Sequence, residues 1–154
     1  MAAIPVVWTE LDYFSEEAHV IADLPPAAEA ARTLLTGLPV PSAVVHSGHG
    51  LHVYWFLQPP LRLDTPEERE RARELVRGFQ NTIIALAALR GWHVDSTADL
   101  ARVLRVPGTL NHKTDPPKSV WVLEWRPDLR YTPEALKPFC TELRGWTPKP
   151  LLPC

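Results

Sequence analysis

The chain has 154 residues, 45% of them hydrophobic and 22% charged, which is enough apolar mass for one globular domain and too little charge bias for disorder. Sixteen Lys and Arg against 18 Asp and Glu leave a formal charge of −2, which excludes a protein held on nucleic acid by global phosphate neutralisation, so any such contact must be local. No run approaches the roughly 18 apolar residues of a membrane span, and Met1 to Phe14 has no basic stretch ahead of a long apolar one, so a cytoplasmic protein with no membrane partner is expected.

Ile4 to Trp8 is a β-branched run leading into Thr-Glu-Leu-Asp, and predicts a buried strand with acidic residues at its carboxyl end. Ala27 to Thr36, opened by Pro25-Pro26 and closed by Gly37, predicts a helix. Ser42 to His46 and Leu51 to Leu57 predict a hairpin joined by Ser47-Gly48-His49-Gly50. Alternation in its second strand sets Leu51, Val53, Trp55 and Leu57 on one face and His52, Tyr54 and Phe56 on the other. Thr65-Pro66-Glu67-Glu68 has the form of a capping box and opens a long helix. Leu75, Val76, Phe79, Ile83, Leu86 and Ala87 hold its 3.6-residue period, and Gly91 stops it.

Trp92 to Asp95 predicts a short strand, Ser119 to Trp125 a longer one with alternating faces, and Thr132-Pro133-Glu134 the start of a short helix. This order predicts an α+β fold, an RRM-like antiparallel or mixed sheet with helices packed on one face, formed by residues 1–154 as a single domain. Cys140 and Cys154 stand in no C-x-x-C pair and read as structurally neutral.

Several short patterns carry chemistry. Glu10 and Asp12, one residue apart at a strand end, project from the same face and suit a shared divalent cation, or else form a solvated rim. Asp95 is a second carboxylate after an apolar run, with a turn cap as its structural alternative. In Ser47-Gly48-His49-Gly50-Leu51-His52, glycines that let backbone approach a ligand are coupled to a hydroxyl and a ring donor, a cradle suited to phosphate or simply a glycine hairpin. A zinc site at His46, His49 and His52 is discounted, because strand alternation and a glycine turn splay these rings. Arg102, Arg105, the Pro107-Gly108 turn and Asn111-His112-Lys113 concentrate phosphate donors in one basic stretch, unless Asp95 or Asp99 pair with the arginines structurally.

Taken together these residues resemble the archaeo-eukaryotic primase superfamily, in its primase-polymerase branch from plasmids, phages and mobile elements. Glu10-Leu11-Asp12 is similar to the family's acidic-x-Asp motif, Ser47 to His52 to its Ser/Gly-rich turn leading to histidine, and Val94-Asp95 to its hydrophobic-acidic motif. Arg102 to Lys113 is similar to the Arg-x-Leu-Arg-x-Pro-Gly-Thr-x-Asn-x-Lys signature of that branch, and the resemblance spans roughly residues 5 to 125.

The resemblance implies a DNA primase/polymerase that works by metal-dependent, template-directed nucleotidyl transfer. Glu10, Asp12 and Asp95 would be catalytic and hold two divalent ions, Mg²⁺ or Mn²⁺. Ser47, Gly48, Gly50, His52, Arg102, Arg105 and Lys113 would bind the nucleotide. Single-stranded DNA template, NTP or dNTP, and a helicase domain or protein are the implied partners.

Glu10 stands where Asp is usual, Gly50 rather than Ser stands two before His52, and only nine residues precede Glu10, so a minimal or amino-terminally truncated core is expected. The competing readings are a non-catalytic RRM-like nucleic-acid-binding module of a replication initiator, using Trp8, Tyr54, Phe56 and Trp121 to stack bases, and a metal-dependent nuclease.

Overall fold

The computed structural model describes residues 1–15 and 23–141. Its elements are β1 (Ala3–Asp12), α1 (Ala28–Thr33), β2 (Ala43–His46), β3 (Gly50–Arg62), α2 (Pro66–Ala88), β4 (Leu110–Asn111), β5 (Lys118–Ser119), β6 (Trp121–Trp125), β7 (Arg130–Tyr131) and α3 (Pro133–Leu136), with a 3-10 turn at Lys137–Phe139. The main sheet runs β1-β3-β2-β6 with antiparallel neighbours. The short β7 adds to β3 in parallel at Phe56 and Leu57, beyond the residues that β2 occupies. The fold is α+β with a mixed sheet, as the element order predicts.

The register of β1 against β3 pairs Val7 with Trp55, Thr9 with Val53 and Leu11 with Leu51, so these side chains share a face. The helix α2 covers that face. Phe79 meets Trp55 edge-on at 4.7 Å between ring centres, and Val76, Ile83 and Ala87 extend the buried seam along the predicted helical stripe. The capping box is formed: Glu68 N–H donates to Thr65 Oγ1 at 3.1 Å and Thr65 N–H donates to Glu68 Oε2 at 3.1 Å. Ser42, fully buried just before β2, ties β3 to the loop ahead of β7 by accepting from Phe56 N–H and donating to the Leu129 carbonyl, while its own N–H donates to the Tyr54 carbonyl.

Two predicted strands differ. Residues 92–95 form no ladder: Trp92 N–H turns back to the Ala87 carbonyl and His93 N–H donates to the Asp23 carbonyl, so both amides are spent outside the sheet. The run from Ser119 to Trp125 is split at Val120, which is buried and exchanges hydrogen bonds with Gly108 and Thr109 instead of continuing the sheet. A register shift between Val44 and Val45 also breaks its alternation: Trp121 pairs with His46, on the α2-facing row, and Trp125 with Ala43, on the opposite row.

Cys140 packs beside Gly78 of α2, where an added Cβ would lie 2.9 Å from the Cys140 Cβ, and burial pushes its thiol pKa up; Cys154 lies outside the described residues. Among the described residues no helix is long and apolar enough to cross a membrane.

Beyond the core stripe, α2 holds the edge of the sheet through one polar residue. Gln80, 1% exposed, donates to the Trp8 carbonyl at 2.8 Å and to Thr97 Oγ1 at 3.2 Å, and accepts from Thr97 N–H at 2.9 Å. Gln80→Leu strands a buried carbonyl and a buried N–H together, so it should cost about 2 kcal/mol. Urea unfolding of the variant against wild type measures this, and an unchanged midpoint would show that the tie contributes nothing.

Candidate active site

The pairing of β1 with β3 sets Glu10 opposite His52 and Asp12 opposite Gly50, so both carboxylates lie on the sheet face turned away from α2. His52 Nε2 stands 3.2 Å from Glu10 Oε1. Arg102 donates from Nε and Nη2 to Glu10 Oε2, at 3.0 and 2.6 Å. Both oxygens of Glu10 are thus engaged by basic side chains. Burial alone would raise the Glu10 pKa, but the hydrogen bonds and charges of His52 and Arg102 outweigh it and hold the carboxyl below its ordinary value. The same hydrogen bond raises Arg102. Tyr54, on the same face, is pushed up to about 12 by burial and by the Glu10 charge.

Asp95 reaches this place from the extended segment after α2. The segment is fixed by Gln80 on Thr97 and by Trp8, whose indole Nε1–H donates to the Thr97 carbonyl at 2.9 Å. Glu10, Asp12, Asp95 and Arg102, with Leu24, His93, Val94 and Thr97, line one cleft of about 70 Å³. His93 Nε2 lies 2.6 Å from Asp95 Oδ1. A broader groove of about 930 Å³ between α2 and α3 has walls of mixed charge, such as Arg71, Glu74, Glu134 and Lys137, and none of the candidate residues lines it.

The three carboxylates offer the hard oxygen donors that Mg²⁺ and Mn²⁺ prefer, and in that sense the donor set fits such ions. As placed, among the described residues, no three His, Cys, Asp or Glu side chains are gathered as a ready metal cage. Arg102 and His52 on Glu10, and His93 on Asp95, are the partners that ions there would exchange with.

The glycine turn stands beside this cleft. Ser47 N–H donates to the Gly50 carbonyl at 2.9 Å, and Gly48 has a φ of +99°, open to glycine at little cost. A Cβ on Gly50 would lie 2.7 Å from Asp12 Oδ1 and 2.8 Å from the Leu11 carbonyl. The turn is buttressed from the basic stretch: Asn111, 3% exposed, donates from Nδ2 to the Ser47 carbonyl at 2.7 Å and accepts from Lys113 N–H at 3.0 Å. His46, His49 and His52 go to three different partners: the Tyr13 hydroxyl, the Thr114 hydroxyl and Glu10. Although His52 is only 6% exposed, its Nδ1 has no hydrogen-bond partner, an unmatched buried atom at the edge of the site.

The sequence-derived candidates therefore divide. Glu10, Asp12, Asp95, His52 and Arg102 come together. Ser47, Gly48 and Gly50 form the adjoining turn. Arg105 and Lys113 are exposed and lie outside the cleft lining, Lys113 in the loop between β4 and β5. Trp8 is buried with its indole N–H satisfied, which removes it from the set of base-stacking candidates. One participant went unremarked in the sequence, and another was read there as a phosphate donor rather than as a support. His93 shares the i, i+2 spacing with Asp95 that marked Glu10 and Asp12, a signal already present; Asn111 lay within the basic stretch, but its buttressing of Ser47, 64 residues away, has no local signature.

Two outcomes follow from this geometry. Glu10 is depressed in the folded state, so its contribution to stability is full above the ordinary glutamate pKa of about 4.3 and is lost as pH falls through the lower folded value. In urea unfolding, Glu10→Gln should therefore be less stable than wild type at pH 7, and the gap should close toward pH 3. A gap independent of pH would contradict the charge balance described. Gly50→Ala, which forces Asp12 and the Leu11 carbonyl apart, should lose about 1–3 kcal/mol in the same assay.

No family model matches the chain. No curated protein matches it either. Among solved structures it is similar to the AEP domain (PP-N190) of the cyanophage S-2L primase-polymerase, PrimPol, with a TM-score of 0.58 and 22% sequence identity. The match covers 91% of this chain and 62% of that one, so the chain spans less than two thirds of the phage domain's length. At this identity the likeness speaks for the fold alone: the chain shares the α+β architecture of that domain.

Proposed function

We propose that this chain is a primase-polymerase domain that joins nucleotides on a single-stranded DNA template, making short RNA or DNA primers. One observation carries the reading: Glu10 and Asp12 of β1 and Asp95, more than 80 residues away, line a common cleft with Arg102, in a fold shared with a phage primase-polymerase domain. Carboxylates brought together from remote stretches, with a guanidinium between them and a glycine turn alongside, suit polyphosphate chemistry better than a solvated rim.

Two divalent ions, Mg²⁺ or Mn²⁺, held by Glu10, Asp12 and Asp95 would supply the Lewis-acid charge for a 3′-hydroxyl attack and a pyrophosphate departure. The chain's own residues do the rest. Ser47 and the Gly50 amide receive triphosphate oxygens, the Gly48 N–H being turned instead to His46 Nδ1, and His52 donates from Nε2–H, the ring atom that points at Glu10 Oε1. Arg102 offers the paired donors it directs at Glu10 Oε2, a geometry equally matched to phosphate. Arg105 and Lys113, exposed outside the cleft, meet the template backbone or the distal phosphates. Asn111 is a positioning residue, acting through the Ser47 carbonyl.

A second reading has its own observation. Because Arg102 and His52 occupy both oxygens of Glu10, the cluster is also consistent with a structural ion pair in a non-catalytic nucleic-acid-binding module. The two separate on triphosphate binding, which depends on Mg²⁺ or Mn²⁺ for the enzyme and is metal-independent or absent for the module.

Incubation with a primed and an unprimed single-stranded template, labelled nucleotides and Mn²⁺ tests the proposal directly. The wild type should extend, and Asp12→Ala should fall to background while keeping its thermal unfolding midpoint. An Asp12→Ala protein that extends at the wild-type rate overturns the assignment, and shortening of the template instead of extension identifies a nuclease.

A further inference from the structure

Outside the cleft, two rings form a stack on the other side of the glycine turn. Trp121 of β6 lies over His46 with ring centres 5.5 Å apart and planes inclined by 26°, and the tilted ring of Tyr13, 6.0 Å away, meets His46 at its edge. The imidazole is held at both nitrogens. Gly48 N–H donates to Nδ1 at 3.2 Å, which assigns the proton of the neutral ring to Nε2, and Nε2 faces the Tyr13 hydroxyl at 2.6 Å. Burial, with the Lys118 charge, lowers the His46 pKa and keeps this ring neutral.

The stack is therefore rigid from beneath, yet Trp121 is 49% exposed. Such a surface is costly to leave to water and holds little conformational freedom that a ligand would have to remove. Its neighbours point to one kind of ligand. Lys118 flanks Gly48, where an added Cβ would stand 3.2 Å from the lysine Cβ, and its charge is felt at His46 beneath the indole. In a chain with a net charge of −2, this sets a cation beside an exposed flat ring. Flat ring and cation together suit a nucleotide, with base on indole and phosphate on ammonium. The backbone connects the stack to the site: Tyr13 directly follows Asp12, and His46 directly precedes Ser47.

We infer that Trp121, preformed on His46, is a stacking platform for a base of the single-stranded DNA, with Lys118 receiving the adjoining phosphate. The inference rests on the proposed single-stranded template and adds to it a binding place on the opposite side of the sheet from the carboxylates.

Fluorescence anisotropy with a labelled oligothymidylate in EDTA tests it without nucleotide transfer. Trp121→Leu keeps apolar bulk on His46 but has no flat π face, and should weaken binding about five- to hundredfold. Trp121→Phe should retain most of the affinity, and Lys118→Ala should lower the slope of log affinity against log salt by about one. Thermal unfolding confirms that each variant is folded. Affinity of Trp121→Leu equal to wild type overturns the inference, as does Trp121→Phe binding as weakly as Trp121→Leu. A wild-type dimer that Trp121→Leu dissociates without change in DNA affinity also overturns it and marks the face as a contact between two copies. Wild type that extends primers while Trp121→Leu binds normally removes the platform and leaves the polymerase reading; wild type that binds through Trp121 but never extends does the reverse.

Discussion

The site depends on the register between β1 and β3. Glu10 faces His52, and Asp12 faces Gly50, only because the two strands pair as they do. A slip of one residue would turn both carboxylates into the seam that Phe79 and Ile83 of α2 fill, where unpaired charge cannot be kept. The register is held from both faces. Val7, Leu11, Leu51, Val53 and Trp55 are completely buried on one side, and on the other Gly50 leaves the space in which Asp12 Oδ1 and the Leu11 carbonyl lie.

On that frame, Glu10 acts as a junction between the sheet and the loop that follows α2. Its two oxygens reach in different directions, to a strand histidine and to a loop arginine. The loop is pinned independently by Gln80 and by the Trp8 indole, both meeting Thr97. This arrangement brings Asp95 to the cleft beside the edge strand β1.

The glycine turn joins the parts that a triphosphate and a template would use. Gly50 accommodates Asp12, Gly48 gives its N–H to His46 of the aromatic stack, and the Ser47 carbonyl receives Asn111 from the basic stretch. Carboxylates, rings and basic stretch therefore share one short piece of backbone. A likeness in fold to a phage primase-polymerase domain adds context to this arrangement, whereas the case for chemistry rests on the side chains themselves.

Local chemistry made much of this legible in the sequence. A capping box forms from four neighbouring residues, and the α2 stripe and the alternation of β3 are periodicities that any buried helix face or strand must keep. The one-residue spacing of Glu10 and Asp12 likewise fixed their common side. Contacts over long separations were beyond its reach. Whether Arg102 meets Glu10 or solvent, whether Arg105 follows it into the cleft, which way the bulge turns Trp121 and Trp125, and that Asn111 supports Ser47 are all decided by how distant segments pack. Periodicity determines which side of an element a residue occupies, and only the competition among segments for burial and hydrogen-bond partners determines what stands opposite it.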